Sequence, residues 1–126
     1  MKVYVFSILG LLLFTSCDND DSITQNDLEN QLREIKAIAE SEACLDINDW
    51  RLIGIGAKPC GGPSSYIAYS ININTEAFLS LVESYNSNVR DYNEREGLIS
   101  DCAIVSPPSS IRCENDKVVY ENEASN

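Results

Sequence analysis

Five cysteines, Cys17, Cys44, Cys60, Cys102 and Cys113, are the residues of this sequence with the most chemistry in them. Histidine is absent, so neither a Ser-His-Asp nor a Cys-His nucleophile can be assembled, because both need imidazole as base. The last four cysteines are separated by 15, 41 and 10 residues, unlike the close Cys-x2-Cys pairs from which structural zinc sites are built. An even number of thiols in a compartment where thiols oxidise predicts two disulfides, with three pairings open at this point. Gly54-Ile55-Gly56 carries two glycines of a dinucleotide-binding loop, but Pro59 stands at the third position and no parallel βαβ unit surrounds it. Asp46-Ile47-Asn48-Asp49 opens like a calcium loop, yet Arg51 replaces the required glycine and Ala57 the closing glutamate. Glu94 and Glu96 are two apart on a helix end and face different directions. The residues therefore predict no enzyme, no metal and no cofactor.

The chain opens with Lys2 and an apolar or small run from Val3 to Phe14, closed by Thr15-Ser16-Cys17. A basic start, an apolar stretch and small residues at the end make an export signal. The run is twelve residues long, whereas a helix needs roughly 20 to cross the hydrocarbon core. Residues 1–16 therefore read as a removable signal. Leu-Phe-Thr-Ser-Cys resembles the lipobox of bacterial lipoproteins, with Phe14 where that motif usually carries an aliphatic residue. The resemblance implies lipid on the sulfur of Cys17, each buried methylene contributing about 0.8 kcal/mol to membrane anchoring. The acidic run Asp18-Asn19-Asp20-Asp21 is similar to the stretch that, in lipoproteins of the Bacteroidetes group, directs the protein to the outer face of the cell. The implied address is the bacterial outer membrane, lipid-anchored at the cell surface, with residues 17–23 as lipidated cysteine and tether.

Removing 16 of the 126 residues leaves 110, enough for one domain that buries about two-thirds of its unfolded surface. Twenty acids against nine bases give a formal net charge of −11. Nucleic acid and anionic headgroups would be repelled by that balance, so a cationic or neutral partner is expected, and no nucleic acid.

Leu28, Leu32, Ile35 and Ile38/Ala39 recur at helical spacing, with Thr24 as cap and Asp27 in the first turn, which predicts a helix over 25–41. Residues 50–57 and 66–73, rich in Ile, Tyr and Trp, predict two strands around Lys58-Pro59-Cys60-Gly61-Gly62-Pro63, which neither helix nor strand tolerates. Phe78, Val82, Tyr85, Val89 and Tyr92 then repeat four-three-four-three between a capping Asn74-Thr75-Glu76 and a stop at Gly97, which predicts a second helix. Residues 103–108, 111–113 and 117–120 read as short strands or extended segments around Glu114-Asn115-Asp116. The fold class is a small, disulfide-stapled α+β domain over 24–120, with 121–126 as a frayed tail.

That order of elements suggests a pairing. A second helix of about 20 residues, rising 1.5 Å each, runs back some 30 Å from the second strand and brings Cys102 near the loop tip at Cys60. The extended return would bring Cys113 to Cys44 ahead of the first strand, so Cys60 is expected with Cys102 and Cys44 with Cys113. The stapled loop 57–65 is the candidate recognition element, with Lys58, Pro59, Gly61, Gly62, Pro63 and Tyr66 as its residues, because rigidity lowers the ordering cost of binding. Two functions fit it. One is a surface module that binds a protein or glycan through the hairpin face. The other is a proteinase inhibitor presenting Lys58 as a basic specificity residue, against which stands Pro59, unfavourable just after a cleavage site.

Overall fold

The first helix, α1 (Gln25–Ala39), begins at a capping box: the Asp27 N–H donates to the Thr24 hydroxyl at 3.2 Å, and the Thr24 N–H donates to the Asp27 carboxylate at 2.9 Å. Hydrogen bonds donated by the Thr24 hydroxyl and then by its N–H hold the Asp27 carboxyl below its ordinary value. The computed structural model describes residues 22–122; the export signal, Cys17 and the acidic run 18–21 lie outside the described residues. The tether was expected to extend to residue 23, but Ile23 packs against the core, and its carbonyl accepts from the Arg95 guanidinium. An apolar residue just ahead of the cap is driven onto the helix's buried stripe, as in a hydrophobic staple.

After a 3-10 turn (Ile47–Asp49), β1 (Trp50–Ile55) and β2 (Ser65–Ser70) pair antiparallel, from Trp50 opposite Ser70 to Ile55 opposite Ser65. Side chains alternate across a strand, and here both faces of the hairpin are covered. Ile53, Ile55, Ile67 and Tyr69 face α1 and α2 (Thr75–Arg95), where Ile35, Phe78 and Val82 are fully enclosed. Trp50, Leu52 and Ala68 face the second hairpin, where they meet Cys44, Ile111, Cys113 and Val118. The result is three layers, helices on β1–β2 on β3–β4, in an α+β fold with two small antiparallel sheets.

Local signals explain the ends of the elements. Asn74 caps α2 by accepting the Ala77 N–H at 3.1 Å. At the other end Gly97, at φ +62, lets Leu98 N–H reach the Asn93 carbonyl and its own N–H reach that of Glu94, a Schellman motif. β3 (Ser110–Glu114) and β4 (Lys117–Glu121) join through Asn115 and Asp116, both left-handed (φ +51 and +62), as a two-residue hairpin turn requires. β4 runs one residue beyond the expected end of the domain. Glu121, expected in the tail, accepts from the Arg112 guanidinium at 2.7 Å, while its backbone carbonyl accepts the Ser109 N–H at 2.8 Å. Residues 103–109 form no strand; Pro107 and Pro108 have no N–H to give a ladder.

Candidate functional site

Close packing shapes both ends of the loop 57–65. A Cβ on Gly54 would lie 2.9 Å from the Pro63 Cβ, so only glycine lets the proline lie against β1. Gly56, at φ +78, turns the chain out of the strand, and a Cβ there would meet the Ser64 Oγ at 2.8 Å. The glycines that resemble part of a nucleotide motif are thus turn and packing residues. Helix α2 grips the start of the loop with two asparagines two turns apart. Asn86 accepts the Gly56 N–H at 2.7 Å and donates to the Gly54 carbonyl at 3.3 Å, and Asn93 donates to the Ala57 carbonyl at 2.8 Å.

On its other side the loop is fastened to the segment after α2. Cys60 is bonded to Cys102 with Cα atoms 5.2 Å apart, and Cys44 to Cys113 at 5.3 Å, the two pairs that the order of elements suggests. Lys58 adds a second fastening, its ammonium lying 2.9 Å from the Asp101 carboxylate and also donating to the Ala103 carbonyl. Hydrogen bonding from Lys58, then from the Ala103 N–H, with the nearby positive charge, holds the Asp101 carboxyl below its ordinary value. The Lys58 side chain is only 14% exposed. It is therefore a clasp and does not project as a basic tip, correcting the role expected for it: an ammonium near a carboxylate and a carbonyl gains hydrogen bonds that a free tip would lack. Cys102 sits at φ +58, a left-handed conformation uncommon for any residue but glycine, with its sulfur in the bridge.

The clasp displays apolar side chains. Ile99 and Ile104 are each 92% exposed and Leu98 is 46% exposed, flanking Asp101 and Cys102. Of the residues singled out in the sequence, Lys58, Gly61, Gly62, Pro63 and Tyr66 do line one concavity of about 410 Å³, joined by Asn86 and Arg90 from α2. Pro59 faces an adjoining hollow of about 320 Å³, which shares Lys58, Gly61 and Arg90 with the first and adds Asn93 and Leu98. The helix residues and the isoleucines were missed. Asn86, Arg90 and Asn93 each follow a residue of the apolar repeat of α2 and flank its stripe with no pattern of their own, and Ile99 and Ile104 carry no periodicity to mark them.

A second concavity lies on the far side of the hairpin. It has a volume of about 370 Å³, between the exit of α1 (Ala39 to Ala43), the face of β1–β2 carrying Trp50 and Ala68, and the β3–β4 turn. Tyr120 closes one wall, its hydroxyl accepting the Ala68 N–H at 2.8 Å. No sequence signal marked it, because its walls come from three elements far apart in the chain. Among the described residues, no three His, Cys, Asp or Glu side chains are grouped to hold a metal ion. No protein-family model, curated protein or solved structure matches the chain.

Proposed function

We propose that the chain is a lipid-anchored protein of the bacterial outer membrane, displayed at the cell surface, whose domain is a binding module for a protein partner. Cys17 and its lipobox-like approach support the anchor, and Asp18 to Asp21 support the surface address. The observation that carries the binding reading is the exposure of Ile99 and Ile104, 92% each, on a segment held by a disulfide and an ion pair. Burying apolar side chains drives most protein association, and a segment already fixed loses little conformational entropy on docking. Aliphatic side chains favour a protein over a glycan, whose hydroxyls would find no polar partner on them. The loop 57–65 is the scaffold of this surface.

Photo-crosslinking in intact cells tests the reading. A crosslinker replacing Ile99 is expected to trap one protein, whereas one replacing Glu29 on the exposed side of α1 traps none. The Ile99 adduct is expected to disappear when Ile104→Ser is added. Equal trapping from both positions, or none from Ile99, overturns the binding reading. Fractionation tests the anchor separately, since Cys17→Ala is expected to move the folded domain out of the membrane fraction.

A further inference from the structure

We propose that the cleft between the exit of α1 and the β3–β4 hairpin binds a small organic cation with an apolar body, such as an aromatic or alkyl amine. The cleft is separate from the isoleucine surface, and the proposal does not rest on the binding reading. Its floor is apolar, formed by Trp50 and Ala68, with Val118 and Tyr120 on the wall. Its rim carries the carboxylates Glu40, Glu42 and Asp116 against the one ammonium of Lys117. An anion would be repelled there and a neutral ligand would gain nothing from the rim, whereas a cation gains from the carboxylates while its apolar body covers the floor. The volume of about 370 Å³ is that of a site for a small molecule.

The walls are fixed before any ligand arrives. The Cys44–Cys113 bridge joins the α1 exit to β3. The Cys44 N–H donates to the Asp116 carbonyl at 2.8 Å, and the Ala68 N–H donates to the Tyr120 hydroxyl at 2.8 Å, tying the hairpin to both neighbours. A preformed cleft of this kind binds without the cost of ordering its own walls.

Trp50 is the only tryptophan of the chain, so its emission reports on the cleft alone. The test titrates the purified full chain with 2-phenylethylammonium and with 2-phenylethanol, which matches its size without the charge, following Trp50 emission and heat of binding together. The amine is expected to give a saturable change in at least one of the two signals, and the alcohol to bind about tenfold more weakly. The triple variant Glu40→Gln, Glu42→Gln, Asp116→Asn, shown to be folded by circular dichroism, is expected to lose that preference. Equal binding of amine and alcohol overturns the proposal. So does the absence of saturation by both signals, or an unchanged preference in the neutralised variant; if that variant does not fold, Glu42→Gln alone, on the exposed loop, takes its place with a partial loss of preference expected.

Discussion

Lys58 and Asp101 meet at 2.9 Å across 43 residues of sequence, beside the bridge from Cys60 to Cys102. The pair and the bridge act on the same two segments, so removing the pair should loosen the clasp without opening the fold. Asp101 is 76% exposed, and exposed ion pairs contribute little to global stability. Lys58→Met or Asp101→Asn is therefore expected to leave the unfolding midpoint nearly unchanged. Amide exchange in residues 98–104 should rise by about two- to fivefold. Exchange by mass spectrometry checks this, and a general rise including α2 would show that the pair supports the whole domain.

Acid should release the same clasp. The Asp101 carboxyl is held below its ordinary value by Lys58 and the Ala103 N–H. Its folded-state pKa lies below its unfolded one, so its contribution is complete above about pH 4 and is lost as the pH falls through the lower folded value. Glu121 is held low in the same way by the Ser110 hydroxyl and the Arg112 guanidinium. Acidification below about pH 4 should thus loosen both 98–104 and the β3–β4 hairpin. Asp101→Asn should abolish the first acid response and leave the second, a difference NMR titration of the two segments would read.

The two bridges should differ in weight. Cys44–Cys113 closes the longer loop, spanning 69 residues against 42 for Cys60–Cys102, and loop closure in the unfolded chain grows with length. Cys44 is also buried among Trp50 and Ala68, whereas Cys60 and Cys102 are exposed. Each bridge is expected to contribute about 2–4 kcal/mol, with the double serine variant at 44 and 113 the more destabilised. Urea unfolding of both double variants measures the order, and the reverse order would mean that the clasp organises the fold.

The helices were legible because each has a local cause, Thr24 and Asp27 at one start and Asn74 and Gly97 around the other, whereas Asn115-Asp116 marked a break between two extended segments and not their pairing. The cysteine pairing followed from element order, since a helix of fixed rise returns the chain to where it began. What stayed hidden were relationships between distant segments. Lys58 looked like a projecting base because its partner lies 43 residues on, and the cleft beside Trp50 is made from three elements that no local pattern connects. Glu121 looked like tail because a hairpin's last residue is fixed by its cross-strand partner, here Ser110, with the Arg112 guanidinium holding its carboxylate.

Pro63 lies so close to Gly54 that the glycine becomes a test of the loop's construction. In Gly54→Ala the new Cβ would meet the Pro63 ring at 2.9 and 3.1 Å, and a proline ring packed at a strand cannot swing aside as a flexible side chain would. Overpacking of this kind costs about 1–3 kcal/mol. Gly61→Ala meets no atom within 4 Å, although its φ of +99 disfavours a side chain. Gly54→Ala is therefore expected to lower the unfolding midpoint and raise exchange at 56–64 together, whereas Gly61→Ala acts on the loop alone.

The final prediction separates display from support. Ile99 and Ile104, each 92% exposed, make no core contact to lose, whereas Ile35 and Val82 are fully enclosed between the helices and β1–β2. Ile35→Ala deletes buried methyl and methylene groups and leaves a cavity, which should cost about 2–5 kcal/mol. Val82→Ala should move in the same direction by less, because fewer atoms are removed. Ile99→Ser with Ile104→Ser removes apolar surface that water already covers, so stability should stay within about 0.5 kcal/mol. The binding reading requires that this stable double variant lose its partner. Denaturant curves and crosslinking on the same preparations decide it: a destabilised double variant would make the isoleucines structural, and a stable one that still binds would move the partner surface elsewhere.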